Sequence, residues 1–169
     1  VVLGAALLQN RSLQEFGVGN SWLPISKLRG ETCAVGAMFG LNMQKSGFHI
    51  GGSCVVAGMV AGSRNLTTLD LSQNDMYTQG ASAMALALKT NRSIHTLVLT
   101  DNKLGINEHN NTDMKGIEDL SAALSRHPTV TCLNLQGNYM TGMYPEYDVK
   151  GLQAFVDAMR TNRFITYLE

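Results

Sequence analysis

The residue types able to do chemistry are few in this chain and poorly placed for it. Four histidines (His49, His95, His109, His127) and three cysteines (Cys33, Cys54, Cys132) are spread over 169 residues. No two histidines stand four residues apart and no Cys-x-x-Cys accompanies them, so the ligand pattern of a zinc site is missing. His95 and Cys132 could meet across neighbouring strands and outline a thiol nucleophile with its base. Cys132 equally fills a position that is threonine in the adjoining segments, and that plainer reading is the expectation. Gly17-Val18-Gly19 is followed by Asn20-Ser21-Trp22, which lacks the third glycine of a dinucleotide loop. Asn10-Arg-Ser, Asn65-Leu-Thr, Asn91-Arg-Ser and Asn110-Asn-Thr match the glycosylation sequon. Three of these recur where a helix turns into a strand, a place that favours small polar residues in any case. The expectation is a chain with no catalytic residues, no cofactor and no metal.

Charge and composition narrow the partners. Thirteen Lys and Arg balance thirteen Asp and Glu, so the chain lacks the basic excess of a nucleic-acid binder. There is no apolar run of about 18 residues, so no membrane span is expected. The apolar opening, Val1 to Leu8, has neither a basic flank nor a small-residue cleavage site, and does not resemble a secretory signal. Three scattered cysteines make no disulfide framework, which favours a reducing compartment. An intracellular place is therefore expected, in the cytoplasm with its cytoskeletal and ciliary assemblies included.

The elements that would position any site come from an internal repeat. Residues 66–74 are LTTLDLSQN, 94–102 IHTLVLTDN and 130–138 VTCLNLQGN, all of the form L-x-x-L-x-L-x-x-N. A further copy begins at 165–169 (ITYLE), and weaker copies stand at 38–46 and 13–21 with Ser46 and Ser21 in place of Asn. With the middle apolar residue as origin, the units start at Phe16, Leu41, Leu69, Leu97, Leu133 and Leu168. Their spacings are 25, 28, 28, 36 and 35 residues.

A second signal runs in phase with the first. Gly52, Gly80, Gly116 and Gly151 are each followed at +4, +7 and +8 by apolar residues, such as Met84, Ala87 and Leu88. That spacing is the inner stripe of an amphipathic helix. Each unit is thus a short strand, a turn and a returning helix. One such unit cannot bury its own apolar face, so neighbours stack over a shared core, with a parallel sheet on one side. Asn74, Asn102 and Asn138 sit where each strand ends. There a buried side-chain amide can satisfy backbone groups left unpaired by the turn.

These residues resemble the ribonuclease-inhibitor-like class of leucine-rich repeats, which includes ribonuclease inhibitor, the Ran GTPase-activating protein and the sensing arrays of NOD-like receptors. The resemblance implies an α/β horseshoe solenoid, with short parallel strands on the concave face and helices on the convex face. Residues 1–169 are expected to form a single domain of about five to six repeats, a fragment of a longer array. Strands are expected near 13–18, 38–43, 66–71, 94–99, 130–135 and 165–169, with Trp22 covering an edge of the core. The open ends would be covered by further repeats or neighbouring subunits.

Two intervals depart from the repeat. Between strand and helix, Gly105–Lys115 and Thr141–Lys150 carry the extra length, at equivalent points of adjacent units. Such insertions project from one rim, side by side. They are either tolerated loop growth or a paired-loop binding site on a rigid frame. The candidates are Asn107, Glu108, His109, Asn110, Tyr144, Glu146 and Tyr147. The strand side chains that point away from the core offer a second surface: Thr68, Asp70, Thr96, Val98, Cys132, Asn134, Gln136 and Tyr167. It is small, polar and nearly without the aromatic anchors of tight interfaces. The expected function is a non-catalytic protein–protein interaction scaffold, a structural or accessory subunit of a larger intracellular assembly. The resemblance also implies two alternatives, a small-GTPase regulator and the sensing arm of a NOD-like receptor.

Overall fold

The computed structural model describes residues 2–31 and 38–169, so Cys33 lies outside the described residues. Helix α1 (Val2–Gln9) leads to β1 (Glu15–Val18) and β2 (Ser21–Pro24), then to the short helix α2 (Ile25–Arg29). Regular alternation follows: β3 (Phe39–Asn42), α3 (His49–Gly62), β4 (Leu66–Asp70), α4 (Tyr77–Leu88), β5 (Thr96–Val98) and α5 (Lys115–Leu124). The chain then forms β6 (Cys132–Asn134), the small strands β7 (Gly142–Met143) and β8 (Glu146–Tyr147), α6 (Lys150–Thr161) and β9 (Tyr167–Leu168).

Five strands make one parallel sheet in the order β3-β4-β5-β6-β9. Its register places Leu41, Leu69, Leu97, Leu133 and Leu168 opposite one another, with Gly40, Thr68, Thr96, Cys132 and Tyr167 as the adjoining row. Leu69, Leu97 and Leu133 are fully buried. Packed beneath them are Met59, Met84, Leu88, Leu120 and Leu124 from the helices. The strands are shorter than the apolar pattern. Ile94 and Val130, which open the L-x-x-L motif, are buried in the turns that precede β5 and β6.

The glycines that open the helical stripes have a packing reason. A Cβ on Gly80 would lie 2.7 Å from the Met76 Cβ and 3.2 Å from the Ser53 Cβ of the preceding helix. On Gly116 it would lie 2.5 Å from the Thr78 carbonyl oxygen and 2.8 Å from the Ala81 Cβ. Neighbouring helices come this close only because that position carries no side chain.

The asparagines form a ladder down the ends of the strands. Asn74, Asn102 and Asn138 donate their side-chain N–H to the carbonyls of Met43 (2.8 Å), Leu71 (2.9 Å) and Leu99 (2.8 Å), each in the preceding unit. Their Oδ1 atoms accept the backbone N–H of Phe48 (3.4 Å), Asn74 (2.9 Å) and Asn102 (2.8 Å). Every step joins two units through one buried amide.

The first unit departs from the expected pattern. Residues 13–18 do not supply a sixth parallel strand: β1 pairs antiparallel with β2 as a separate hairpin. Gly19, at φ +58, and Asn20 close that hairpin in two residues, the shortest route back. The Asn20 N–H is taken by the Ser46 carbonyl at 2.6 Å, which ties the turn to the next unit. Trp22 does not cover the core. It is 70% exposed and lies over Gly17 on the outer side of the hairpin, while Leu23 takes the buried place.

Candidate interaction surface

The two insertions meet. In the first, Ile106 and Thr112 form an antiparallel bridge, and the Asn107 side chain accepts the N–H groups of His109 (3.0 Å) and Asn111 (3.1 Å). Asn107 therefore shapes its own loop rather than presenting its amide. Glu108 accepts a hydrogen bond from the Gln79 side chain at 3.3 Å, His109 is exposed, and Asn110 holds the turn at φ +60. In the second insertion, β7 and β8 form a hairpin. Thr112 joins the two loops: its hydroxyl donates to the Glu146 carbonyl (2.6 Å) and accepts the Met143 N–H (3.0 Å).

That hairpin carries Tyr144 and Tyr147, 80% and 67% exposed. Their rings meet edge to face, with centroids 6.4 Å apart and planes at 67°. Aromatic rings held together in water are costly to leave uncovered and supply anchors at interfaces. Tyr139 and Val149 are exposed as well. Tyr139 lines a cavity of about 410 Å³ with Leu152, Phe155 and Leu168.

The outward face of the sheet has a different character. Asp70 spends Oδ1 on the backbone and hydroxyl of Ser72 (2.9 and 2.6 Å). Asn134 accepts from the Thr100 hydroxyl (2.8 Å) and donates to Glu169 (2.8 Å). Gln44 donates to Gln73, which in turn donates to Asp101. Tyr167 donates to Glu169, whose charge pushes its phenol above the ordinary range. Thr68, Thr96, Val98, Cys132 and Gln136 lie on this face, half-buried or exposed. Asp70, Asn134 and Tyr167 are paired within the face, so a partner gains little by bonding to those three.

The His95 ring and the Cys132 thiol are not brought together as nucleophile and base. The Cys132 N–H donates to the His95 carbonyl (3.0 Å), but the His95 ring turns back to donate from Nδ1 to Ser93 at 2.7 Å. The thiol has no base arranged beside it by that geometry. Among the described residues no three His, Cys, Asp or Glu side chains gather closely enough to hold a metal ion. Between α1, α2 and α3 lies a cavity of about 850 Å³, lined by Leu8, Leu28 and Ala61 together with Arg11, Arg29 and Arg64. Arg29 donates to the Asn10 carbonyl and to Glu31 (2.7 Å), and this holds the Glu31 carboxyl below its usual range.

The family model described as Leucine Rich repeat matches residues 62–85, which span the end of α3, all of β4 and most of α4. Residues 62–85 thus carry a leucine-rich repeat, and the units on either side keep its strand–turn–helix course. The chain is 29% identical over 162 residues to the human NACHT, LRR and PYD domains-containing protein 13, which covers 94% of this chain. The chain spans 14% of that relative's length. A solved structure of Leiomodin-1 Actin-Binding Site 2 superposes with a TM-score of 0.62 at 18% identity, covering 76% of this chain and 68% of the other. That likeness is one of fold. Among the described residues no helix is long and apolar enough to cross a membrane.

Two rows of rim positions fall outside the apolar pattern of the repeat. Gln73 and Asp101, just before the ladder asparagines, and Asp75 and Lys103, just after them, all adopt positive φ. This turns their side chains to the rim. There Lys103 pairs with Asp75 (2.8 Å) and lies 5.2 Å over the Tyr77 ring. The hydrogen bond to Asp75 raises the Lys103 pKa above 10.5. The signal was present in the residue types: Gly47 and Gly137 occupy the same rows at φ +64 and +70.

Proposed function

We propose that the chain is a non-catalytic protein-docking scaffold whose contact is made by the paired rim loops, with the repeats serving as a rigid frame. The observation that carries this reading is the Thr112 hydroxyl tying the first loop to the hairpin that carries the exposed, edge-to-face Tyr144–Tyr147 pair. Leucine-rich repeats present loops from a frame in which every unit is bonded to the next, so ordering the binding surface costs little on association. The sheet face is the weaker candidate, because it has few aromatic anchors and Asp70, Asn134 and Tyr167 are paired internally. The reading includes one domain of stacked repeats over residues 1–169, curved as in the ribonuclease-inhibitor-like class with the sheet inside. It also places the contact within the cell, where Cys54 and Cys132 stay as free thiols.

The test compares two variants in a pull-down from cells. Shortening both loops to restore 28-residue spacing should abolish recovery of the partner, while Thr96→Arg on the sheet face should leave it intact. Unchanged recovery with the short loops overturns the loop assignment.

A second reading is the repeat arm of a larger sensing protein. The 29% identity across 94% of the chain to a protein with NACHT and PYD domains favours it. It is compatible with loop docking, and the test is whether the full reading frame encodes a nucleotide-binding domain ahead of these repeats.

A further inference from the structure

A second ladder runs along the opposite rim, where each helix turns into the next strand. Asn91 accepts the N–H groups of Ser93 and Ile94 (both 2.9 Å) on Oδ1, and donates from Nδ2 to the Val60 carbonyl of the preceding helix (2.7 Å). Asn162 repeats this with Phe164 and Ile165 (both 2.8 Å) and with the Leu124 carbonyl (2.6 Å). Asn10 accepts from Ser12 (3.0 Å) and Leu13 (2.9 Å) in the same way. Between Asn91 and Asn162, the same place belongs to His127.

His127 imitates the amide with an imidazole. Its Nδ1 accepts the N–H groups of Thr129 (3.5 Å) and Val130 (3.2 Å), two and three residues on, as the asparagine oxygens do. An acceptor at Nδ1 fixes the proton on Nε2. That atom is buried and faces the carbonyls of Leu88 and Asn91, short of hydrogen-bond geometry. Arg92 already donates to both of these oxygens, at 3.1 and 2.6 Å. The residue is 2% exposed.

We propose that His127 is a pH-sensitive joint in the solenoid: its neutral imidazole holds the α5–β6 turn closed on itself where it packs beside Arg92 of the α4–β5 turn, and protonation opens that turn. A proton on Nδ1 turns the acceptor for Thr129 and Val130 into a donor aimed at two donors. Arg92, from the α4–β5 turn, is the charged group whose field bears on the ring, and it opposes a second positive charge. Burial, with this repulsion added, holds the His127 pKa below the ordinary 6.5. The sign follows from linkage. The unfolded chain takes up the proton first, so the stability His127 contributes is complete above pH 6.5. It is lost as pH falls from there through the folded-state value. The opened turn is the one that feeds β6 and the loop carrying Tyr144 and Tyr147.

The experiment measures thermal unfolding of the chain and of His127→Asn between pH 5 and 8. Asn restores the residue used elsewhere in the row, so the variant should keep the joint and lose its dependence on pH. The wild-type midpoint should fall, relative to the variant, by up to about 3–5 °C per pH unit below 6.5. Parallel curves for the two proteins overturn the proposal. Should His127→Asn fail to fold, titration of the wild-type imidazole resonances decides. A His127 midpoint below the ordinary 6.5 supports the joint, and one at or above it overturns it.

Discussion

The backbone N–H of Asn102 donates to the side-chain oxygen of Asn138, 36 residues on, at 2.8 Å. The Asn102 side chain in turn donates to Leu71 and accepts from Asn74. Asn102 is thus bonded to the units on both sides, at zero exposure. Asn102→Ala strands a buried carbonyl and a buried N–H with no water to replace the amide. The expected loss is about 2–4 kcal/mol, seen as a lower urea midpoint. Asn42→Ala on the exposed sheet face should move that midpoint by less than about 0.5 kcal/mol. Equal effects at the two sites would mean the ladder contributes little to stability.

Two helical glycines predict opposite signs. Gly116 faces Thr78 and Ala81 at distances no Cβ can share, so Gly116→Ala must push α5 away from α4. A cost of about 1–3 kcal/mol is expected from such overpacking. Gly51, in the first turn of α3, has nothing within 4 Å of its added Cβ. There alanine gains helix propensity and should stabilise by about 0.5–1 kcal/mol. Chemical denaturation of the two single variants checks both signs at once.

The parts of the fold visible in the sequence are those set by local repetition. Leu69, Leu97 and Leu133 stand in phase and come out opposite one another in the register. Gly80 and Gly116 open the apolar stripes and come out where helices touch. The misplaced parts depend on what a segment meets after folding. Phe16-Gly17-Val18 has the alternation of a strand in either setting, and the Gly19-Asn20 turn, not the alternation, decides that its partner is β2. Trp22 reads as a core residue by type alone, yet its neighbour Leu23 is the one whose side chain faces the helices. Within the candidate surface, insertion length and tyrosine content marked Tyr144 and Tyr147. Thr112 carried no signal, because an insertion has no repeat phase to assign its hydroxyl a direction.

That hydroxyl makes the last prediction. Thr112 accepts the Met143 N–H and donates to the Glu146 carbonyl, the two groups that flank the tip of the β7–β8 hairpin. Two-residue strands cannot hold a hairpin by themselves, so the order of Tyr144 and Tyr147 depends on this external clasp. Thr112→Val keeps the shape and removes both bonds. The clasp is near the surface, where water replaces part of what is lost, so global stability should fall by no more than about 1 kcal/mol. The local effect should be larger: limited proteolysis within 141–148 should speed up severalfold at native temperature, because the hairpin opens without the core. Cleavage at the wild-type rate would show that the hairpin is held by its own contacts, and that the two loops are neighbours rather than one surface.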